Sequence, residues 1–178
     1  MRSPVLESLI ARASALARER TDPADCVLAL APLMLELIEQ ATTFLDARHC
    51  SSDPDHPARH RVHAAPDGSV GLDALVWSPG HWTPVDDLGH WGVVGVLEGV
   101  LEKRSYVRLS DGEADEGIRL VRGGVTLLPR GAVTGFVPDP DHVHVTGVPP
   151  ERPRAVGLHL HGRWPHDRGM KPSTWRQR

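Results

Sequence analysis

Several residues of this chain carry side chains that could bind a metal or move protons. Asp86 and His90 lie in the stretch PGHWTPVDDLGHWGVVGVLEG, and on a β-strand both would point, with Leu88 between them, to the same face. A carboxylate and an imidazole on one face are suitable iron ligands. His159 and His161 share a strand face in the same way, and two imidazoles that titrate near neutral pH could relay protons. These residues predict a site for metal or acid–base chemistry.

The stretch 79–99 resembles the first signature of the bacterial cysteine dioxygenase (thiol dioxygenase) family, small iron enzymes of the cupin superfamily. In that family the stretch typically reads PG-x-x-TPVHDH-x-x-WGVVGVLEG, and both histidines of HDH bind iron. Here the three positions are Asp86, Asp87 and Leu88, so the usual set of three histidines is impossible. The resemblance, which runs on to an L-H-L-x-G ending at Gly162, implies a divergent member with altered metal ligands.

The resemblance also implies a third metal ligand. In the family this histidine lies a fixed distance before an S-x-H-x-Y motif, and counting back from Gly157 places His144 there, with His142 as the competing register. Together with Asp86 and His90, it would form a set of two histidines and one carboxylate, a common arrangement for non-haem Fe(II). The alternative is a pocket that has lost its metal.

Catalytic roles follow from the same motif. The family's Ser-His-Tyr relay maps onto Gly157, His159 and His161, so only the central histidine is retained. We therefore expect His159 and His161 on one wall of the cavity as the catalytic pair. The alternative is two hydrogen-bonded histidines of the barrel interior without a catalytic role.

The resemblance implies substrate-binding residues as well. Arg59 resembles the arginine that holds the substrate carboxylate, and a guanidinium suits a carboxylate in bidentate geometry. Arg61 could take this role instead, and an exposed arginine in a loop is the structural alternative. His81, just before the altered ligand segment, is expected to face the substrate.

The elements that must position these residues are mainly strands. Short apolar runs separated by Gly and Pro from Leu72 onward predict about eight strands. Before them, residues 4–20 and the segment from Cys26 to about Arg48 have helical apolar spacing, and Pro32 is expected to break or kink the second. Residues 50–70 indicate a loop or an irregular edge strand. The predicted fold is one mainly β cupin domain, a double-stranded β-helix, with helices in 1–48, the barrel in 55–163 and a tail in 164–178.

Composition excludes several classes of partner. The chain has 178 residues with 20 Lys and Arg against 23 Asp and Glu, and this net charge of −3 argues against nucleic acid and anionic membranes. It has no apolar run of about 18 residues that could span a membrane. Residues 1–20 mix Arg, Glu and Ser with apolar residues and do not predict a signal peptide, and the two cysteines, Cys26 and Cys50, are expected to be free thiols in the cytoplasm.

The first functional hypothesis is a non-haem iron oxygenase that acts on a small carboxylate- or thiol-bearing substrate, with dioxygen as the second reactant. Because the ligands differ from the family's, cysteine itself is not the expected substrate. The alternatives are a metal-independent cupin enzyme with isomerase- or cyclase-type acid–base chemistry and a non-catalytic cupin that binds a small molecule. The sequence leaves the substrate open, and it leaves open whether the protein is a monomer or a homodimer.

Overall fold

The computed structural model describes residues 3–65, 67–84, 90–108, 120–137 and 143–162. These ranges form two α-helices, two short 3₁₀ turns and eight strands, which confirms the predicted class of fold. In chain order the elements are α1 (Pro4–Glu19), α2 (Pro23–Glu39), 3₁₀ turns at Ala41–Thr43 and Ala47–Cys50, β1 (Ala58–Ala64), β2 (Gly71–Trp77), β3 (Trp91–Glu98), β4 (Val100–Arg108), β5 (Leu120–Pro129), β6 (Val133–Phe136), β7 (Val143–Gly147) and β8 (Ala155–Gly162).

Both helices begin with a capping side chain followed by proline at the first helical position. The Ser3 hydroxyl accepts the Leu6 N–H at 3.5 Å, and the Asp22 carboxylate accepts the N–H groups of Ala24 and Asp25 at 2.8 and 3.1 Å. These contacts satisfy amide groups that have no partner within the helix, and proline at the first position loses no helical hydrogen bond.

Of the two alternatives at Pro32, a break is wrong, because α2 continues through this residue to Glu39, and a kink stays a prediction. Proline removes one helical hydrogen bond and crowds the preceding turn. On both sides of it, Leu30, Leu33, Met34 and Leu37 are almost completely buried. Their packing against the sheet favours the helix by more than the proline disfavours it, as tertiary contacts often do.

All strand pairs are antiparallel, and they form two sheets. The larger sheet has the order β1-β2-β8-β3-β6, and the smaller has the order β5-β4-β7. β1 is the edge strand, and its register shifts between Arg61 and His63. Of the two possibilities for residues 50–70, an irregular edge strand is therefore correct for the part that forms β1.

The larger sheet is apolar on its outer face and polar on parts of its inner face. Side chains at alternate positions of β2, β3 and β8 pack against the helices, and together they form the main core: Leu72, Ala74, Trp91, Val93, Leu158 and Leu160. The intervening positions, among them Asp73, His159 and His161, point to the other face. A second cluster around Trp77, Val96 and Leu101 fills the barrel at one end. The helices thus cover one face and leave the other for a site.

Neither helix of the described residues combines the length and the hydropathy that a membrane crossing requires.

Gly92→Ala tests the close packing of the inner face. A Cβ atom on Gly92 would lie 2.1 Å from Cζ of its cross-strand partner Phe136 and 2.8 Å from Nε2 of His159. We expect the overpacking to lower the free energy of unfolding by about 1–3 kcal/mol, measured by urea denaturation. The control is Gly124→Ala, since no heavy atom lies within 4 Å of its Cβ position. Equal losses in the two variants would contradict this packing.

Candidate functional site

Three histidines from two adjacent strands form one cluster on the inner face of the larger sheet. His159 and His161 both lie on β8, with ring centroids 5.3 Å apart. His90 immediately precedes β3, and its ring centroid lies 6.2 Å from that of His159 and 5.4 Å from that of His161. The antiparallel pairing of β3 with β8 produces this proximity, because it places the start of one strand beside the end of the other.

Phe136, at the end of β6, packs among the imidazoles. Its ring centroid lies 5.8 Å from His90, 5.3 Å from His159 and 5.2 Å from His144, which reaches the same space from β7 in the smaller sheet. The missing side chain of Gly92 makes room for the ring. Sequence reasoning missed Phe136, since a single sequence does not reveal which glycine lies opposite an aromatic residue on the neighbouring strand.

The predicted metal ligands are described only in part. Asp86 lies outside the described residues, as does His142, the alternative to His144. His90 and His144 both contact the apolar ring of Phe136, and no three ligating side chains converge on one point in the described ranges. The three-residue set therefore stays a prediction.

His159 is a neutral base candidate. Its side chain is only 9% exposed, and its Nε2 atom is buried with no hydrogen-bond partner among the described residues. Burial lowers the pKa of His159 well below its usual range, and the charges of His161, His90 and Arg59 lower it further, against a smaller opposing effect of Asp73. The imidazole is therefore neutral at pH 7 and can accept a proton.

Asp73, on β2, binds both arginines that the sequence offered as carboxylate ligands. Its Oδ2 accepts a hydrogen bond from Nε of Arg59 at 2.6 Å and contacts the Nη2 of the same guanidinium. The same oxygen lies 3.0 Å from Nε2 of His161, and Oδ1 accepts a hydrogen bond from Nε of Arg61. Strand register explains the contacts, because Asp73 lies opposite Arg61 on β1 and opposite His159 on β8. Asp73 did not stand out in the sequence.

This carboxylate is fully buried and ionised. Burial alone would raise the pKa of Asp73, but the hydrogen bonds from His161 and Arg59 and the charge of the guanidinium outweigh it and lower the pKa to about 2. A buried charge costs little only when it is paired and hydrogen-bonded, as this one is.

A cavity of about 330 Å³ opens between the sheets. Arg59, His144 and His159 line it, together with Thr83 and Thr146. The rest of the lining is largely apolar: Pro57, Leu75, Trp77, Pro84, Val94 and Phe136, with His56 at one side. A mostly apolar cavity with a few converging polar groups is typical of a small-molecule site.

The other predicted residues lie beside this cavity rather than on its described lining. His81 is in the turn after β2, where its N–H donates to the carbonyl of Ser78 at 3.0 Å. The ring centroids of His90 and His161 lie 6.2 and 5.3 Å from that of His159, and neither residue belongs to the described lining of the cavity. Arg61 lines a separate groove of about 560 Å³ between β1 and the first helix and 3₁₀ turns.

Comparison with known proteins identifies the fold. No family model matches the chain. An uncharacterized conserved protein with a double-stranded β-helix domain from Klebsiella pneumoniae is similar over 73% of this chain and 93% of its own, with a TM-score of 0.51 and 13% identity. A cupin-like protein from Thermotoga maritima covers 70% of this chain and 82% of its own, with a TM-score of 0.48 and 15% identity. The chain has the double-stranded β-helix fold. An oxalate oxidase in complex with the substrate analogue glycolate is similar over 69% of this chain and 57% of its own, with a TM-score of 0.45 and 14% identity. Likeness at these identities shows the fold alone.

Acid should destabilise this protein through Asp73. The folded pKa of about 2 lies below the value of about 3.9 for an unfolded chain, so the pairing stabilises the fold above pH 4 and is lost as pH falls from about 4 to 2. The corresponding loss is about 2–3 kcal/mol, measured by urea denaturation at a series of pH values. Asp73→Asn should lack this step, whereas Asp53→Asn, at a partly exposed carboxylate, should retain it. A step of the same size in all three proteins would contradict the assignment.

Proposed function

We propose that this cupin binds a small carboxylate-bearing molecule in the barrel cavity and moves a proton on it. The observation that carries the proposal is that Arg59 and His159 meet on one cavity, a permanent cation and a neutral imidazole with a buried, unbonded nitrogen. A cavity of about 330 Å³ suits a ligand of modest size.

Arg59 is suited to bind the carboxylate. Two of its nitrogens, Nε and Nη2, contact Asp73, whereas Nη1 makes no hydrogen bond with any described residue. A hydrogen bond between a guanidinium and a carboxylate is among the stronger ones in proteins. Thr83 supplies a second donor to the cavity, because its oxygen accepts the Thr146 N–H at 3.0 Å and its hydroxyl hydrogen remains for a ligand.

His159 and His144 are suited to the proton transfer. They belong to different sheets and contact the same Phe136 ring, so a ligand in the cavity meets one imidazole from each sheet. Neutral His159 would take a proton from the ligand, and His144 would return one, which is isomerase-type chemistry. The apolar walls keep water from competing for the proton. His161, the other predicted catalytic residue, contacts Asp73 and Arg59 through Nε2, so we assign the base role to His159.

The test compares acetate, propionate and benzoate with their primary amides, using calorimetry or NMR to measure binding. We expect the acids to bind more tightly than the amides, and Arg59→Gln to weaken acid binding about 10- to 100-fold, the worth of a charged hydrogen bond. Arg61→Gln is the matched control: it also removes an arginine from Asp73, but from outside the cavity lining, and should change acid binding by less than about threefold. Equal effects of the two substitutions, or equal binding of acids and amides, would overturn the proposal.

A 2-oxo acid tests the proton transfer, because its ketone acidifies the hydrogens on the neighbouring carbon. In D₂O the protein should accelerate the exchange of a methyl hydrogen of pyruvate for deuterium, followed by NMR. His159→Gln should abolish this acceleration and leave pyruvate binding unchanged. Exchange at the wild-type rate in this variant would exclude His159 as the base.

The iron-dependent oxygenation predicted from the sequence is the second candidate. It is favoured by His90, whose Nδ1 lies 3.0 Å from the carbonyl oxygen of Trp91. Because a carbonyl only accepts, this contact fixes the tautomer in which Nε2 carries the lone pair, as ligating histidines commonly have it. Asp86 and His144 would supply the remaining ligands, and bound Fe(II) would supply the activation of dioxygen.

Iron content tests the second candidate. Protein purified without chelators should hold about one iron per chain, as a single mononuclear site requires, and Asp86→Ala should remove it. Asp87→Ala is the control, since the sequence predicts that this residue faces away from Asp86. Iron near zero that anaerobic addition of Fe(II) does not restore would exclude the second candidate. Carboxylate binding that persists in the presence of a chelator would then still support the first candidate, the metal-independent proton transfer.

A further inference from the structure

We infer that Asp73 is a positioning residue for ligand binding: it fixes the Arg59 guanidinium in the orientation that a carboxylate ligand needs. The inference rests on the proposed carboxylate site and deepens it, since nothing in the sequence motif assigns a role to Asp73.

The contacts restrain one edge of the guanidinium and leave another edge available. Arg59 is 53% exposed, and an exposed arginine normally samples several rotamers. Here Oδ2 of Asp73 contacts both Nε and Nη2, and Nε2 of His161 lies 3.2 Å from Nη2 and 3.0 Å from Oδ2. Asp73 and His161 thus contact the edge of the guanidinium formed by Nε and Nη2. Among the described residues Nη1 has no hydrogen-bond partner, so it is the nitrogen that remains for a ligand.

Asp73 itself cannot move easily. Its carboxylate is 0% exposed, and its second oxygen, Oδ1, is bound by Nε of Arg61. The two arginines occupy different spaces: Arg59 lines the cavity, whereas Arg61 lines the groove beside the first helix. Arg61 therefore contacts Asp73 from a side that a cavity ligand does not reach. Arg61 is therefore the control residue for Arg59, since both contact Asp73 and only Arg59 lines the cavity.

A positioning role and a purely electrostatic role predict opposite results. Two arginines against one carboxylate leave a net positive charge, which attracts an anion. If Asp73 acted only through its charge, its neutralisation would remove a repulsive group and tighten anion binding. If it acts by holding Arg59, neutralisation frees the guanidinium and weakens binding, because the ligand must then order the side chain itself.

The decisive variant is Asp73→Asn, which is isosteric and removes the charge. We expect benzoate binding to weaken at least tenfold and benzamide binding to stay unchanged, whereas Arg61→Gln should alter neither by more than about threefold. Benzoate binding that is unchanged or tighter in Asp73→Asn overturns the inference. So does an equal loss in Arg61→Gln, since loosening of the cluster as a whole would then explain both.

Two further measurements keep the inference testable if Asp73→Asn does not fold. Asp73→Glu keeps the charge but moves the carboxylate by one methylene, and it should also weaken benzoate binding. In the wild-type protein, the Arg59 Nε–H should exchange slowly with solvent in NMR spectra, and its resonance should shift when benzoate is added. Rapid exchange of this N–H, or wild-type affinity in Asp73→Glu, would exclude a positioning role.

The outcomes separate the inference from the proposed function. Wild-type protein that does not prefer benzoate to benzamide contradicts the carboxylate site itself, and the positioning role with it. A wild-type preference that Arg59→Gln abolishes and Asp73→Asn leaves intact contradicts the positioning role alone.

Discussion

The interior of this barrel depends on one buried negative charge that must be paired. Asp73 lies in a sheet whose other face is packed against helices, so it has no route to water and is ionised only because cationic and polar groups come to it. Arg59 and Arg61 from β1 and His161 from β8 meet that need from both neighbouring strands. The pairing links the edge strand to the centre of the sheet, and it fixes side chains that strand geometry alone would leave free to rotate.

Along β8 of the same sheet, residues that pack in the core alternate with residues that lie on the face of the candidate site. Leu158 and Leu160 of β8 pack into the helical core, and the residues next to them in sequence, His159 and His161, lie on the opposite face, where His159 lines the cavity. One strand therefore anchors the barrel and presents the imidazoles, and the rigid packing on one face holds the polar face in place. The lowered pKa of His159 follows from the same packing, since a closely packed wall excludes the water that would stabilise its charged form.

Much of the fold was predictable from the sequence, because strand alternation, helical spacing and capping are local signals. The strand face shared by His159 and His161 follows from spacing alone. Pro32 shows where local reasoning fails: the packing of α2 is a long-range effect that the proline itself does not reveal. Asp73 and Phe136 were missed for the same reason, since their importance lies in neighbours on other strands, and an Asp or a Phe within a strand is unremarkable without that register.

The pairing of Gly92 with Phe136 has a consequence for how this cavity can diversify. The ring forms part of the cavity wall, and it lies on β6, away from the strands that carry Arg59 and Asp73. Under the proposed function, the length of the ligand and the charge of its head group would therefore depend on different residues on different strands. Exchange of the glycine–aromatic pair would resize the cavity without disturbing the ion network. Related proteins would in that way accept ligands of a different size and still bind the carboxylate through Arg59.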